Sequence, residues 1–215
     1  MEIIDLVKRF SGHSGVTAVN QVWSDERVRT IHFKGLSASA APMLFAALST
    51  AEKPWKVPVV LFVLNDLEEA GYFYHDLIQM LGESKVLFLP SSYRRAIKYG
   101  QKDSANEVLR TEVLTRLVEE GSPSLYVVTY PDALAELVVS QNTLTERSLS
   151  LAVGDTLEPI KIETMLVDEG FERVDYVYEP GQFAVRGGII DVFSYASEYP
   201  FRIDFFGDEI DSIRT

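Results

Sequence analysis

VPVVLFVLNDLEEAGYFYHDLIQMLGESKVLFLP (57–90) is the stretch that decides the fold class. Its first eight residues, 57–64, are nearly all apolar, the composition of a strand covered on both faces. Leu67, Ala70, Tyr74, Leu77 and Leu81 then repeat at helical spacing, and Asn65-Asp66 stands where a helix cap belongs. KVLFL (85–89) returns to strand composition. Working outward, RTIHF (29–33) and the nearly all-apolar SLYVVT (124–129) read as further strands. Ala105, Val108, Leu109, Val113 and Leu117 mark a second helix over 104–120, with a capping box at Ser104 and Glu107 and a stop at Gly121. Alternating strands and helices with short links predict an α/β domain. Its sheet would be mainly parallel, of the Rossmann-like or degenerate P-loop NTPase kind.

After residue 140 the pattern changes. Residues 148–153 read as a short strand and Pro159 to Glu169 as a helix ended by Gly170. RVDYVY, FAVRG, GIIDVF, PFRIDFF and DEIDSI follow, separated by Gly, Pro and Ser, and predict a run of antiparallel strands. A small α+β domain is expected here. Charge changes at the same place: residues 1–140 hold 17 acids and 14 bases, residues 141–215 hold 15 acids and 6 bases. The polar stretch SQNTLTERS (140–148) is therefore the expected boundary, dividing the chain into domains 1–145 and 146–215.

Composition excludes several chemistries. The 215 residues are 47% hydrophobic and 24% charged, ordinary for a globular chain. A net charge of −12 argues against general binding of phosphate backbones. Without cysteine there is no disulfide, thiol nucleophile or thiolate metal site. The three histidines, His13, His32 and His75, have no spacing suited to a metal, so neither metal nor cofactor is expected. No apolar run is long enough for a membrane helix, and the acidic start MEIIDLVKRF does not fit an export signal, which points to the cytoplasm.

The α/β half invites a search for a phosphate loop. Gly35 follows the first predicted strand in the way a Walker A glycine would, but Ala40, Ala41 and Pro42 stand where Gly-Lys-Ser/Thr is required. The charge on the phosphates, the magnesium-binding hydroxyl and one N–H are missing. Two readings stay open, an ordinary strand–helix turn and a decayed nucleotide loop. Arg94, Arg95, Lys98 and Lys102, interleaved with Tyr93 and Tyr99, form the one basic cluster, either a solvated loop or a nucleic-acid contact. Gly187-Gly188 reads as a tight turn or bulge. In RIDFF (202–206), alternation sends Ile203 and Phe205 to one face and Arg202, Asp204 and Phe206 to the other. Phe206 beside an arginine has the composition of a binding hot spot, unless later chain or the first domain covers it.

YEPGQFAVRGGIIDVFSYASEYPFRIDFFGDEIDSIR (178–214) resembles the UvrB-homology region of the bacterial transcription-repair coupling factors. The stretch from SSYRR to LYVVTYPDALAELV is similar to their N-terminal part. UvrB itself is similar here but keeps the Walker A lysine that Ala41 replaces. The resemblance implies a non-catalytic adaptor, the N-terminal module of a longer ATP-dependent translocase, that recruits UvrA to RNA polymerase stalled at DNA damage. It further implies UvrA contacts at Arg186, Arg202 and Phe206, and contacts to RNA polymerase and double-stranded DNA through other domains. A UvrB-type helicase subunit, or a direct DNA-binding module using 94–102, is the alternative.

Overall fold

The computed structural model describes residues 2–23, 25, 27–51, 59–93, 103–118, 124–140, 143 and 148–215. It divides into two compact units, Met1–Pro90 with Glu120–Ala135, and Ser91–Glu119 with Glu136–Thr215.

The first unit carries a three-stranded parallel sheet in the order β1-β3-β2, with β1 at Val59–Val63, β2 at Val86–Leu89 and β3 at Leu125–Thr129. Helices α1 (Ile3–Ser11), α2 (Ser14–Trp23), α3 (Ala40–Thr50) and α4 (Leu67–Leu81) share one core with it. Phe62, Val86, Tyr126 and Val128 point from the sheet into one core with Leu44, Ala47 and Leu48 of α3 and Ala70 and Leu77 of α4. Phe62 meets Phe45 edge-on with centroids 4.8 Å apart. The start of α4 follows its expected chemistry. Asp66 Oδ1 accepts from the Glu69 N–H at 2.9 Å, and Glu69 Oε2 accepts from Asn65 Nδ2 at 2.7 Å.

Two expectations for this unit are corrected. RTIHF forms no strand: residues 29–33 join no ladder, and all but half-buried Ile31 are exposed. A five-residue segment that buries so little cannot offset the entropy of extending it. The run 57–64 is not covered on both faces along its described part. Central β3 is buried at every residue, but β1 at the sheet edge leaves Val59, Leu61 and Val63 exposed.

The second unit contains α5 (Ser104–Val118), helix α7 (Pro159–Asp168; the four-residue α6, Pro131–Leu134, belongs to the first unit) and a five-stranded sheet. Its strands lie in sequence order: β4 Glu172–Arg173, β5 Gln182–Arg186, β6 Ile189–Phe193, β7 Phe201–Phe206 and β8 Glu209–Arg214. Phe183, Val192, Ile203 and Ile210 form its core, joined by Leu151, Leu166, Phe171 and Phe205. Ile210 and Ile213 are three residues apart, so strict alternation would send them to opposite faces. A register shift opposite Asp204/Phe205 inserts Asp211 and lets both isoleucines reach the core.

Here too the structure corrects the sequence. Residues 148–153 form no strand. They make a turn in which Asp155 Oδ2 accepts from the Ala152 N–H at 2.7 Å and the Gly154 N–H bonds to Ile210 O at 2.8 Å. RVDYVY is a strand only in its first residue, Arg173, and β4 pairs parallel to β5 while the other pairings are antiparallel. The cap of α5 is Asp103 rather than Ser104: its Oδ1 accepts from the Ala105 N–H at 3.1 Å, two residues on. The expected stop at Gly121 lies outside the described residues.

Candidate functional site

Both faces of the second sheet follow from alternation. Phe183, Ile190 and Ile203 enter the core. The opposite face gathers Arg186 from β5, Asp191 from β6, Arg202, Asp204 and Phe206 from β7, and Ser212 and Arg214 from β8. Register pairs Asp191 directly with Arg202 and Arg202 with Arg214.

Asp191 is the hub. Its carboxylate accepts from Arg202 Nε at 2.6 Å and Nη2 at 2.9 Å, a two-pronged contact, and from Arg186 Nη2 on its other side. The Asp191 side chain is 11% exposed, whereas those of Arg186 and Arg202 are 42% and 47% exposed. One buried carboxylate therefore orients two half-exposed guanidinium groups. The Arg202 hydrogen bond holds the Asp191 carboxyl below the usual carboxylate range; partial burial opposes it and Arg186 adds to it. Further along the face, Asp204 accepts from Ser212 Oγ at 2.7 Å and from Arg214 Nη2.

Phe206 ends β7 beside the Gly207-Asp208 turn and is 84% exposed. Ile203 and Phe205 take the core side as expected. The structure thus brings Arg186 and Arg202 together on one carboxylate. Phe206 lies on the same face, about 13 Å along the strand from Arg202, four residues at ~3.3 Å each. Gly187-Gly188 is the expected tight turn joining β5 to β6. Gly187 has φ +62°, and a side chain at Gly188 would press on the Phe205 carbonyl 3.0 Å away.

The other sequence candidates fall elsewhere. Gly35 (φ +80°) sits in a bend that no ladder strand feeds, and Ala40, Ala41 and Pro42 form the first turn of α3, with Pro42 buried. The Ala40 N–H bonds to Ser37 O at 3.0 Å. Arg94, Arg95, Lys98, Tyr99 and Lys102 lie outside the described residues. A polar cluster that sequence reasoning did not find joins Ser91, Ser92, Arg110 and Glu136. The Glu136 carboxylate accepts from the Ser92 N–H at 3.0 Å, the Ser92 hydroxyl at 2.7 Å and the Ser91 hydroxyl, with Arg110 Nη1 3.5 Å away. Burial pushes the Glu136 carboxyl up, but the two serines and Arg110 outweigh it and hold it below its ordinary range. Among the described residues no group of acids and histidines is arranged for a metal, and no helix is long and apolar enough to cross a membrane.

The family model of the UvrB interaction domain matches residues 149–215, which contain α7, β4 to β8 and the whole of the charged face. The transcription-repair-coupling factor of Bacillus subtilis is 31% identical over 182 residues, 84% of this chain and 15% of that protein. Its counterpart in Staphylococcus aureus is 29% identical over 155 residues, 72% of this chain and 13% of the relative. The Escherichia coli counterpart is 40% identical over 88 residues, covering 36% of this chain and 8% of the relative. The chain is similar to the transcription-repair-coupling factors over most of its length. It spans only 15% of the Bacillus subtilis relative, so it corresponds to a small part of such a protein. Within that part, the UvrB interaction domain supplies both the buried carboxylate and the exposed Phe206 of the site.

Proposed function

We propose that the chain is a non-catalytic adaptor that docks UvrA through Arg186, Arg202 and Phe206, and so brings nucleotide excision repair to RNA polymerase stalled at damaged DNA. The carrying observation is the Arg186–Asp191–Arg202 cluster with exposed Phe206 on the same face, inside the region matched by the UvrB interaction domain. Oriented guanidinium groups suit carboxylates on a partner, because the planar fork makes paired hydrogen bonds. An aromatic at such a site is worth roughly 2–4 kcal/mol to binding when truncated. RNA polymerase and double-stranded DNA would be engaged by other parts of a protein of this family, in the bacterial cytoplasm.

The same reading makes Gly35, Ala40, Ala41 and Pro42 a nucleotide loop that has lost its function. The chain is then expected to bind no ATP, and calorimetry showing micromolar ATP binding with magnesium would contradict it. The division into domains 1–145 and 146–215 is part of the proposal. Limited proteolysis should cut first within 140–148, and early cuts inside 104–120 or 189–206 would count against it. The docking itself is tested by titrating the chain into UvrA. Saturable binding that an Arg186/Arg202/Phe206 triple alanine variant loses supports it; a folded triple variant with unchanged affinity defeats it.

A further inference from the structure

The charged face encloses more space than its ion pairs occupy. Beside Asp191 lies a pocket of about 430 Å³ walled by Tyr176, Tyr178, Arg186, Arg202 and Arg214. Half of the six basic residues of 141–215 meet there, in a region with 15 acids. Arg186 and Arg202 share the Asp191 carboxylate and Arg214 pairs with Asp204, so three guanidinium groups line the pocket beside one aspartate of its own wall, and it suits a negatively charged group.

The two tyrosines have no role in the core. Tyr176 is 61% and Tyr178 77% exposed. Both ride on the strap that leaves the sheet after Arg173, yet the strap is pinned at each end. The Val174 N–H donates to Phe183 O at 2.9 Å, and the Tyr178 and Glu179 N–H groups donate to Gln182 Oε1 at 3.0 and 3.1 Å. The Arg186 guanidinium lies 5.2 Å from the Tyr176 ring centroid, a cation–π contact. Exposed rings on a pinned backbone lose little freedom on binding, which is how tyrosines act at interfaces.

We propose that this pocket receives an acidic side chain of the protein partner, its carboxylate on the guanidinium groups and its stem between Tyr176 and Tyr178. Tyr178 then sets which partner segment fits. The inference rests on UvrA being the partner and adds a subsite to that reading. An acidic protein segment is favoured over nucleic acid because the chain carries −12 overall, which repels a phosphate backbone as a whole while a single carboxylate meets only the local arginines.

The experiment titrates UvrA with the whole chain, wild type and three variants: Tyr178→Ala, Tyr178→Phe and Phe206→Ala. Expected are a loss of at least tenfold in affinity for Tyr178→Ala, near-wild-type affinity for Tyr178→Phe, and an unchanged thermal midpoint in both, which a purely structural role would not produce. If Phe206→Ala weakens UvrA but Tyr178→Ala stays within twofold, the pocket inference falls and the docking reading stands. If the wild-type chain does not bind UvrA, both fall. A short single-stranded DNA oligonucleotide serves as the other arm: DNA binding that Tyr178→Ala abolishes, with UvrA affinity unchanged, overturns the choice of a protein partner.

Discussion

The two sheets of this chain use their second faces in different ways. In the parallel sheet, the strands are near-continuous apolar runs: central β3 is buried throughout and β2 nearly so, while β1 leaves Leu61 and Val63 in the open. In the mixed sheet, β5, β6 and β7 send successive side chains to opposite faces, and polar residues converge on Asp191 and Asp204. A strand that is apolar on both faces can contribute packing alone. A strand that alternates can hold a core with one face and place oriented charge on the other, as β7 does with Ile203 inside and Arg202 outside. The mixed sheet is therefore the one with a face free to be proposed for recognition.

The sharpest way to break this comparison uses one residue type on opposite faces of one sheet. Phe183 is fully buried, so Phe183→Ala is expected to cost about 3–5 kcal/mol of folding stability by denaturant titration. A cost near zero would mean that the face assignment is wrong. Next in size is the Glu136 cluster: Glu136→Ala leaves Arg110, 9% exposed at its side chain, with one acidic partner fewer, and about 2–4 kcal/mol should be lost. The Asp191 hub is more open, and Asp191→Asn should lower stability by roughly 1–2 kcal/mol near neutral pH. Its pH dependence has a definite sign. The folded carboxyl titrates below its ordinary range, so its contribution is present above about pH 4 and is lost as pH falls through the folded value. Thermal midpoints recorded across acid pH should fall less steeply for Asp191→Asn than for wild type; identical slopes would remove Asp191 from the account. Smallest is Phe206→Ala, expected to change stability by no more than about 1 kcal/mol.

What could be read from residues alone was what depends on near neighbours. Asp66 and Glu69 cap α4 within four residues of each other, and the stripe from Leu67 to Leu81 matches the helix end to end. Ile203, Phe205 and Phe206 took their faces because β7 keeps its alternation, the extra residue of the bulge falling on β8. Strands expected at 29–33 and 148–153 failed for the opposite reason: a strand needs a distant partner and a surface to bury, and neither is written in five consecutive residues. RVDYVY has strand composition, but Tyr176 instead leaves the sheet and faces Arg186. Asp191 was legible only as a lone acid inside IIDVF. Its meaning comes from register, which places Arg202 opposite it and Arg186 near by. An isolated charge in an apolar strand is the signal that would have found it.

The charged face with Phe206 is proposed as a docking surface rather than spare surface. Measuring UvrA affinity and denaturation midpoint on the same Phe206→Ala preparation tests it most directly. Affinity should weaken at least tenfold, which corresponds to ~1.4 kcal/mol, with the midpoint unchanged. Wild-type affinity in a fully folded variant would contradict it.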